Sequence, residues 1–117
     1  MNKHGQINYA EYPAADLERT KAFFKQVFAW QFKDFGSEYT AFSGSGLKGG
    51  FFHSELKSTV KNGGALLVFF SDELEKTLSI IENAGGQIVR PIFTFPGGRR
   101  FHFTEPSGNE FAVWSDK

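Results

Sequence analysis

The chain has 117 residues, and Lys+Arg 13 against Asp+Glu 13 gives a formal net charge of zero. That length argues for one domain, and neutrality without a Lys/Arg block removes the electrostatic case for nucleic acid or an anionic membrane. No apolar run approaches the ~18 residues of a membrane span, and with no cysteine there is no disulfide, thiolate metal site or Cys nucleophile.

The opening MNKHGQINYAEY has an early Lys but no apolar stretch behind it, so it does not read as a secretory signal, and a cytoplasmic location is the default expectation. His4 falls here and is expected to be exposed. Ile7 to Tyr12 reads as a strand that Pro13-Ala14-Ala15 breaks. Asp16 opens a helix whose Leu17, Phe24, Val27 and Phe28 share a face. Trp30 to Phe35 and Tyr39 to Ser43 read as short strands, Gly44 to Gly50 as a flexible turn, and Phe51 to His53 as a further strand. Glu55 to Gly64 is polar and reads as a linker.

The pattern then starts again. Ala65 to Phe70 is an apolar strand, and Ser71 is the expected N-cap of a helix with Asp72 and Glu73 in its first turn. Gly85-Gly86 ends that helix. Gln87 to Pro91, Arg99 to Thr104 and Glu110 to Trp114 are the next strands, and Glu105-Pro-Ser-Gly-Asn109 is the turn between the last two. Leu17-Glu18-Arg19-Thr20 recurs as Leu74-Glu75-Lys76-Thr77, a shift of 57 residues that also pairs Phe23-Phe24 with Ile80-Ile81, Tyr9 with Leu66 and Glu11 with Val68. The chain is therefore expected to be α+β, two duplicated halves of about residues 5–56 and 63–116 within one domain. Each half alone, at ~50 residues, is too small to bury a helix and a sheet securely.

Asp16-Leu17-Glu18-Arg19, Phe23-Phe24, Val27-Phe28-Ala29-Trp30 and the Glu105-Pro-Ser-Gly-Asn109 turn, in this order and spacing, resemble the vicinal oxygen chelate superfamily of glyoxalase, bleomycin-resistance and extradiol dioxygenase proteins. Ala29 stands where that pattern has Gly, Phe24 where it has Tyr, and Glu105 where it has Asp. The resemblance implies two βαβββ modules forming a cup-shaped mixed sheet of about eight strands, with helices on the convex side and ligand in the cup. It also implies a homodimer. Metal-dependent members place a ligand on the first and last strand of each module. Those places fall at Tyr9, at Leu66, at Ala112 and, in an uncertain register, between Gly50 and His53. Leu66 and Ala112 hold no donor, and a Tyr must lose a proton of pKa ≈ 10 to bind a divalent ion, so neither metal nor other cofactor is expected.

Alternation then places Tyr9 and Glu11 on one face, Leu66 and Val68 with Phe70 on another, and Glu110, Ala112 and Trp114 on a third. The expected floor is apolar and aromatic, with Phe51 and Trp114 among the ligand contacts and His53 and His102 as polar ones. That suits a small apolar or aromatic molecule held by one or two hydrogen bonds. Fifteen Phe, three Tyr and two Trp exceed what one small core needs, so some rings are expected in a pocket or a subunit interface. Glu11 is a candidate general base or anchor; the alternative is a structural carboxylate paired with Arg99, Arg100 or a backbone amide. His102 is a candidate proton carrier or ligand contact, against an ordinary strand histidine, and Arg99 with Arg100 are candidate rim anchors for an acidic ligand. Three functions compete: metal-free binding of a small molecule; a lyase, isomerase or dioxygenase-like enzyme using Glu11 or a histidine; and a non-catalytic structural or regulatory subunit.

Overall fold

The computed structural model describes residues 2–117. In chain order the elements are β1 (Tyr9–Ala14), α1 (Leu17–Phe28), β2 (Gln31–Asp34), β3 (Tyr39–Ser43), β4 (Lys48–His53), β5 (Val68–Phe70), α2 (Leu74–Asn83), β6 (Gln87–Phe95), β7 (Gly98–Thr104) and β8 (Glu110–Ser115). The order strand, helix, three strands occurs twice, as the repeat requires. The eight strands divide into two sheets of four, ordered β1-β4-β3-β2 and β5-β8-β7-β6. In each, the first strand runs parallel to the last and the other pairs are antiparallel.

Local chemistry sets the ends of the helices. Asp16 accepts from the Arg19 amide at 3.0 Å and caps α1. Ala29 closes it in the left-handed region at φ 59°, where it is the non-glycine residue with positive φ among those described. Ser71 is displaced from its expected place: Glu73 is the capping residue of α2, and the Ser71 hydroxyl accepts from the Glu73 amide two residues later. Further strand limits differ from expectation, and one of them is β6, which continues past Pro91 to Phe95. β1 runs through Pro13 and Ala14, because it is the edge of its sheet and the missing N–H of Pro13 has no ladder partner to lose. β5 begins only at Val68, leaving Ala65 to Leu67 in the preceding loop. β4 begins at Lys48 and takes in Gly49 and Gly50, which are not turn residues. The ring of Phe42 fills the space a Cβ would need at Gly49, and the Tyr39 phenol fills it at Gly50. These glycines seat two aromatic rings against the sheet.

One face of each sheet is covered and the other is open. On the covered faces, Tyr12, Phe42, Phe51, Phe101, Phe103, Phe111 and Val113 join Phe23 and Phe24 of α1 and Leu74 and Ile81 of α2 in one core. Phe24 stacks on Trp30 at 4.2 Å between centroids and meets Phe111 edge-on at 5.4 Å. Phe28 stacks on Phe69 at 4.0 Å. α1, a helix of the first module, thus packs on the sheet of the second, which fuses the halves. Each fully buried Phe contributes roughly 1.5–3 kcal/mol of transfer free energy.

Candidate functional site

On the open face of the first sheet, Glu11 of β1 lies opposite Gly50 of β4, Gly50 opposite Ala41 of β3, and Ala41 opposite Lys33 of β2. Because Gly50 has no side chain, the Tyr39 phenol leans across it. Its hydroxyl donates to Glu11 Oε2 at 2.8 Å and lies 2.6 Å from the Tyr9 hydroxyl. Tyr9 is then the donor to Tyr39. Burial, reinforced by the hydrogen bonds to Tyr9 and Glu11, pushes the Tyr39 phenol well above its usual range, so it stays a donor. Glu11 is held by this phenol, not by Arg99, Arg100 or a backbone amide.

On the open face of the second sheet the same pairing runs Val68, Ala112, His102, Arg90 across β5, β8, β7 and β6. The neighbouring row is Phe70, Trp114, Arg100, Phe93. Phe70 and Trp114 meet edge-on at 5.1 Å, and Phe95 lies 6.2 Å from Trp114. His102, 4% exposed, sets Nδ1 at 2.8 Å from Glu110 Oε2, while its Nε2 is buried without a partner. Glu110 also accepts from the Val60 amide at 3.1 Å through its other oxygen. With the carboxylate as acceptor, the hydrogen-bond network assigns the neutral imidazole's proton to Nδ1 and leaves a lone pair on Nε2.

Several expected site residues fall elsewhere. Phe51 is 0% exposed and packs in the core against Tyr12, Phe24 and Phe42, since it alternates away from Gly50 and Phe52. His53 pairs with Ala14, on the same face as Phe51, and its Nδ1 lies 3.7 Å from Glu38 Oε1. Leu66 precedes β5 and lies half-buried in the loop. Arg99 and Arg100, adjacent in β7, point to opposite faces. Arg99 turns to the helix side and pairs with Glu75 of α2; Arg100 is on the open face. Tyr9, Glu11, Val68, Ala112, Trp114 and His102 lie on the helix-free faces, but on two different ones, and there Ala112 is fully buried and His102 nearly so. The two covered faces share one core, so the open faces turn away from each other. A cavity of about 350 Å³ lies between the edges of β1 and β5, and of the expected site residues on those faces it takes in Val68 alone; Val68 and Phe70 line it together with Ala10, Trp30, Phe42 and Leu67 among others. Tyr39 and Arg90 were missed by the sequence reading. The alternation Tyr39, Ala41, Ser43 beside Gly50 carried a signal for the first. The second depends on irregularities in β6 that no local pattern announces.

Residues 6–113 match the model of the Glyoxalase/Bleomycin resistance protein/Dioxygenase superfamily. The chain belongs to this superfamily. A glyoxylase-like domain-containing protein of Didymella fabae is 27% identical over 130 residues, covering 97% of this chain and 95% of its own. Among solved structures, a glyoxalase/bleomycin resistance protein/dioxygenase family enzyme from Burkholderia phytofirmans PsJN superposes with a TM-score of 0.80 at 17% identity, covering 97% of this chain and all (100%) of that one. A genomically encoded fosfomycin resistance protein from Listeria monocytogenes gives 0.74 at 19% identity, with 98% and 94% covered. At these identities the structures share the fold.

The superfamily's metal places can now be set in register. Gly50 lies opposite Glu11 as Ala112 lies opposite Val68, so the fourth place falls at Gly50. Tyr9, Leu66, Gly50 and Ala112 offer one phenol and no imidazole or carboxylate between them. Among the described residues no three His, Cys, Asp or Glu side chains converge as metal ligands. The donor set does not fit a divalent ion of the superfamily type.

Proposed function

We propose that this superfamily member binds a small, flat, apolar or aromatic molecule in a cup built from its open sheet faces, without a divalent ion, and that binding itself is the function. The observation that carries this reading is the loss of donors at the superfamily's metal places beside exposed rings, with Phe70 54% and Tyr9 42% exposed. In this reading the open face of the first sheet of one chain meets that of the second sheet of another copy, so Tyr9 and Glu11 complete a cup with Val68, Ala112 and Trp114. What supports the second copy is that one chain turns these two faces apart. Native mass spectrometry of freshly purified protein tests it: two chains carrying a co-purified small molecule are expected. Stoichiometric Ni, Zn, Mn or Fe would overturn it.

A second reading rests on the His102 and Glu110 contact of 2.8 Å. A carboxylate-oriented imidazole with a free Nε2 is built to take a proton, which suits a lyase or isomerase. Retained ligand binding with turnover abolished in His102→Asn and reduced in Glu110→Gln would favour that reading over binding alone.

A further inference from the structure

The open face of the second sheet carries two cations, Arg90 and Arg100, that no carboxylate among the described residues neutralises. β6 has register irregularities between Ile88 and Arg90 and between Arg90 and Phe93. As a result Arg90 and Phe93, three residues apart, pair in turn with His102 and Arg100 and emerge on one face. The Arg90 guanidinium lies 3.7 Å from the centroid of the Phe93 ring. The Arg100 guanidinium lies 5.3 Å from the same centroid and 5.7 Å from that of Phe95. Neither has an ion-pair partner among the described residues, and Arg100 Nε is buried and unsatisfied. Arg99, one residue away, has its carboxylate in Glu75. Glu110, the carboxylate on this face, is already engaged by His102 and the Val60 amide.

Two like charges on one ring repel each other, and buried donors without acceptors are costly. Planar guanidinium forks with open donors match an oxyanion. The next two members of the row, Trp114 and Phe70, offer a ring surface for whatever body carries the charge. We propose that this face binds an organic oxyanion, its charged group clamped between Arg90 and Arg100 and its flat aromatic body laid along Trp114 and Phe70. The proposal rests on the small-molecule-binding reading above and specifies its ligand as an aromatic acid.

Calorimetric titration at low chloride with 1-naphthoate, 1-naphthyl phosphate and neutral 1-naphthamide tests it. The anions are expected to bind at least ~10-fold tighter than the amide, because the amide leaves both guanidinium groups unneutralised. Arg90→Gln with Arg100→Gln should abolish the difference while leaving the fold, read by circular dichroism, unchanged. Whichever anion binds tighter identifies the charged group as carboxylate or phosphate. Equal affinity of acid and amide, or discrimination unchanged in the double variant, overturns the oxyanion clamp and leaves the cup reading standing. Saturable binding of none of the three also overturns the clamp. If the purified protein carries no small molecule either, the cup reading falls with it.

Discussion

Ala29 ends α1 at φ 59° and ψ 31°, a conformation that suits glycine. For an L-residue with a side chain that backbone costs about 1–2 kcal/mol, while glycine gives back part of the gain through its freer unfolded chain. Ala29→Gly is expected to stabilise the protein by about 0.5–1 kcal/mol, read as a rise in the urea midpoint at constant slope. An unchanged or lower midpoint would refute the strain. Gly50 presents the opposite case. A methyl there would strike the Tyr39 hydroxyl and ring. Gly50→Ala should destabilise by about 1–3 kcal/mol and break the Tyr39 to Glu11 hydrogen bond. In Tyr39→Phe the ring keeps its seat but the hydroxyl is gone, so the smaller loss there separates crowding from hydrogen bonding. Equal stability of Gly50→Ala and wild type would show that the ring has somewhere else to go.

The turn between β7 and β8 acts as an element-scale clasp. Glu105, 2% exposed, accepts from Thr20 Oγ1 at 2.6 Å, from the Ser107 amide at 3.0 Å and from Asn109 Nδ2 at 2.7 Å. The same Asn109 amide group donates to the Pro13 carbonyl at 2.6 Å, and the Ser107 hydroxyl accepts from the Asp16 amide at 3.2 Å. A turn of the second module is thereby fastened to the strand-to-helix junction of the first. Burial pushes the Glu105 carboxyl above its ordinary 4.5, against the hydrogen bonds from Thr20, Ser107 and Asn109 that pull it down. A carboxyl raised on folding contributes stability that is full below its unfolded value and is lost as pH rises through its folded one. Glu105→Gln, which resembles the protonated acid, should therefore gain in melting temperature relative to wild type as pH is raised from about 4 to 8. A difference that stays constant with pH would rule this out. The repeated helices and this turn were readable in the sequence because capping, periodicity and turn chemistry are local. The strand limits at Pro13 and Pro91 were not, since a proline inside a strand is tolerated only where that strand is an edge, and β1 and β6 are both edges only in the assembled sheets. Alternation correctly put Tyr9 with Glu11 and Ala112 with Trp114, whereas the separation of Arg99 from Arg100 requires knowing which face the helices cover.

At the scale of the whole molecule the decisive fact is that both covered faces feed one core and both open faces look outward. The first module gives α1 to the second, with Phe28 on Phe69 at 4.0 Å, so the halves cannot also fold their open faces together within one chain. Those faces leave Val68 44% and Phe70 54% exposed on the edge strand β5, whose outer backbone groups are also unpaired. Exposed apolar side chains on an open edge invite another strand or another copy. A standard interface would remove roughly 800 Å² from each partner, a modest share of the 7121 Å² this chain exposes. Sedimentation at micromolar concentration is expected to show a dimer. Val68→Lys should yield a monomer with a melting temperature close to that of the dissociated wild type, because the residue is half-exposed before association and a lysine there is solvated in the monomer but desolvated beside its symmetry partners in the dimer. The same variant should lose ligand binding together with dimerisation, since half of the cup would go with the partner. A wild type that sediments as a monomer and still binds, or a Val68→Lys variant that is monomeric and still binds, would place the binding surface on a single chain and remove the need for a second copy.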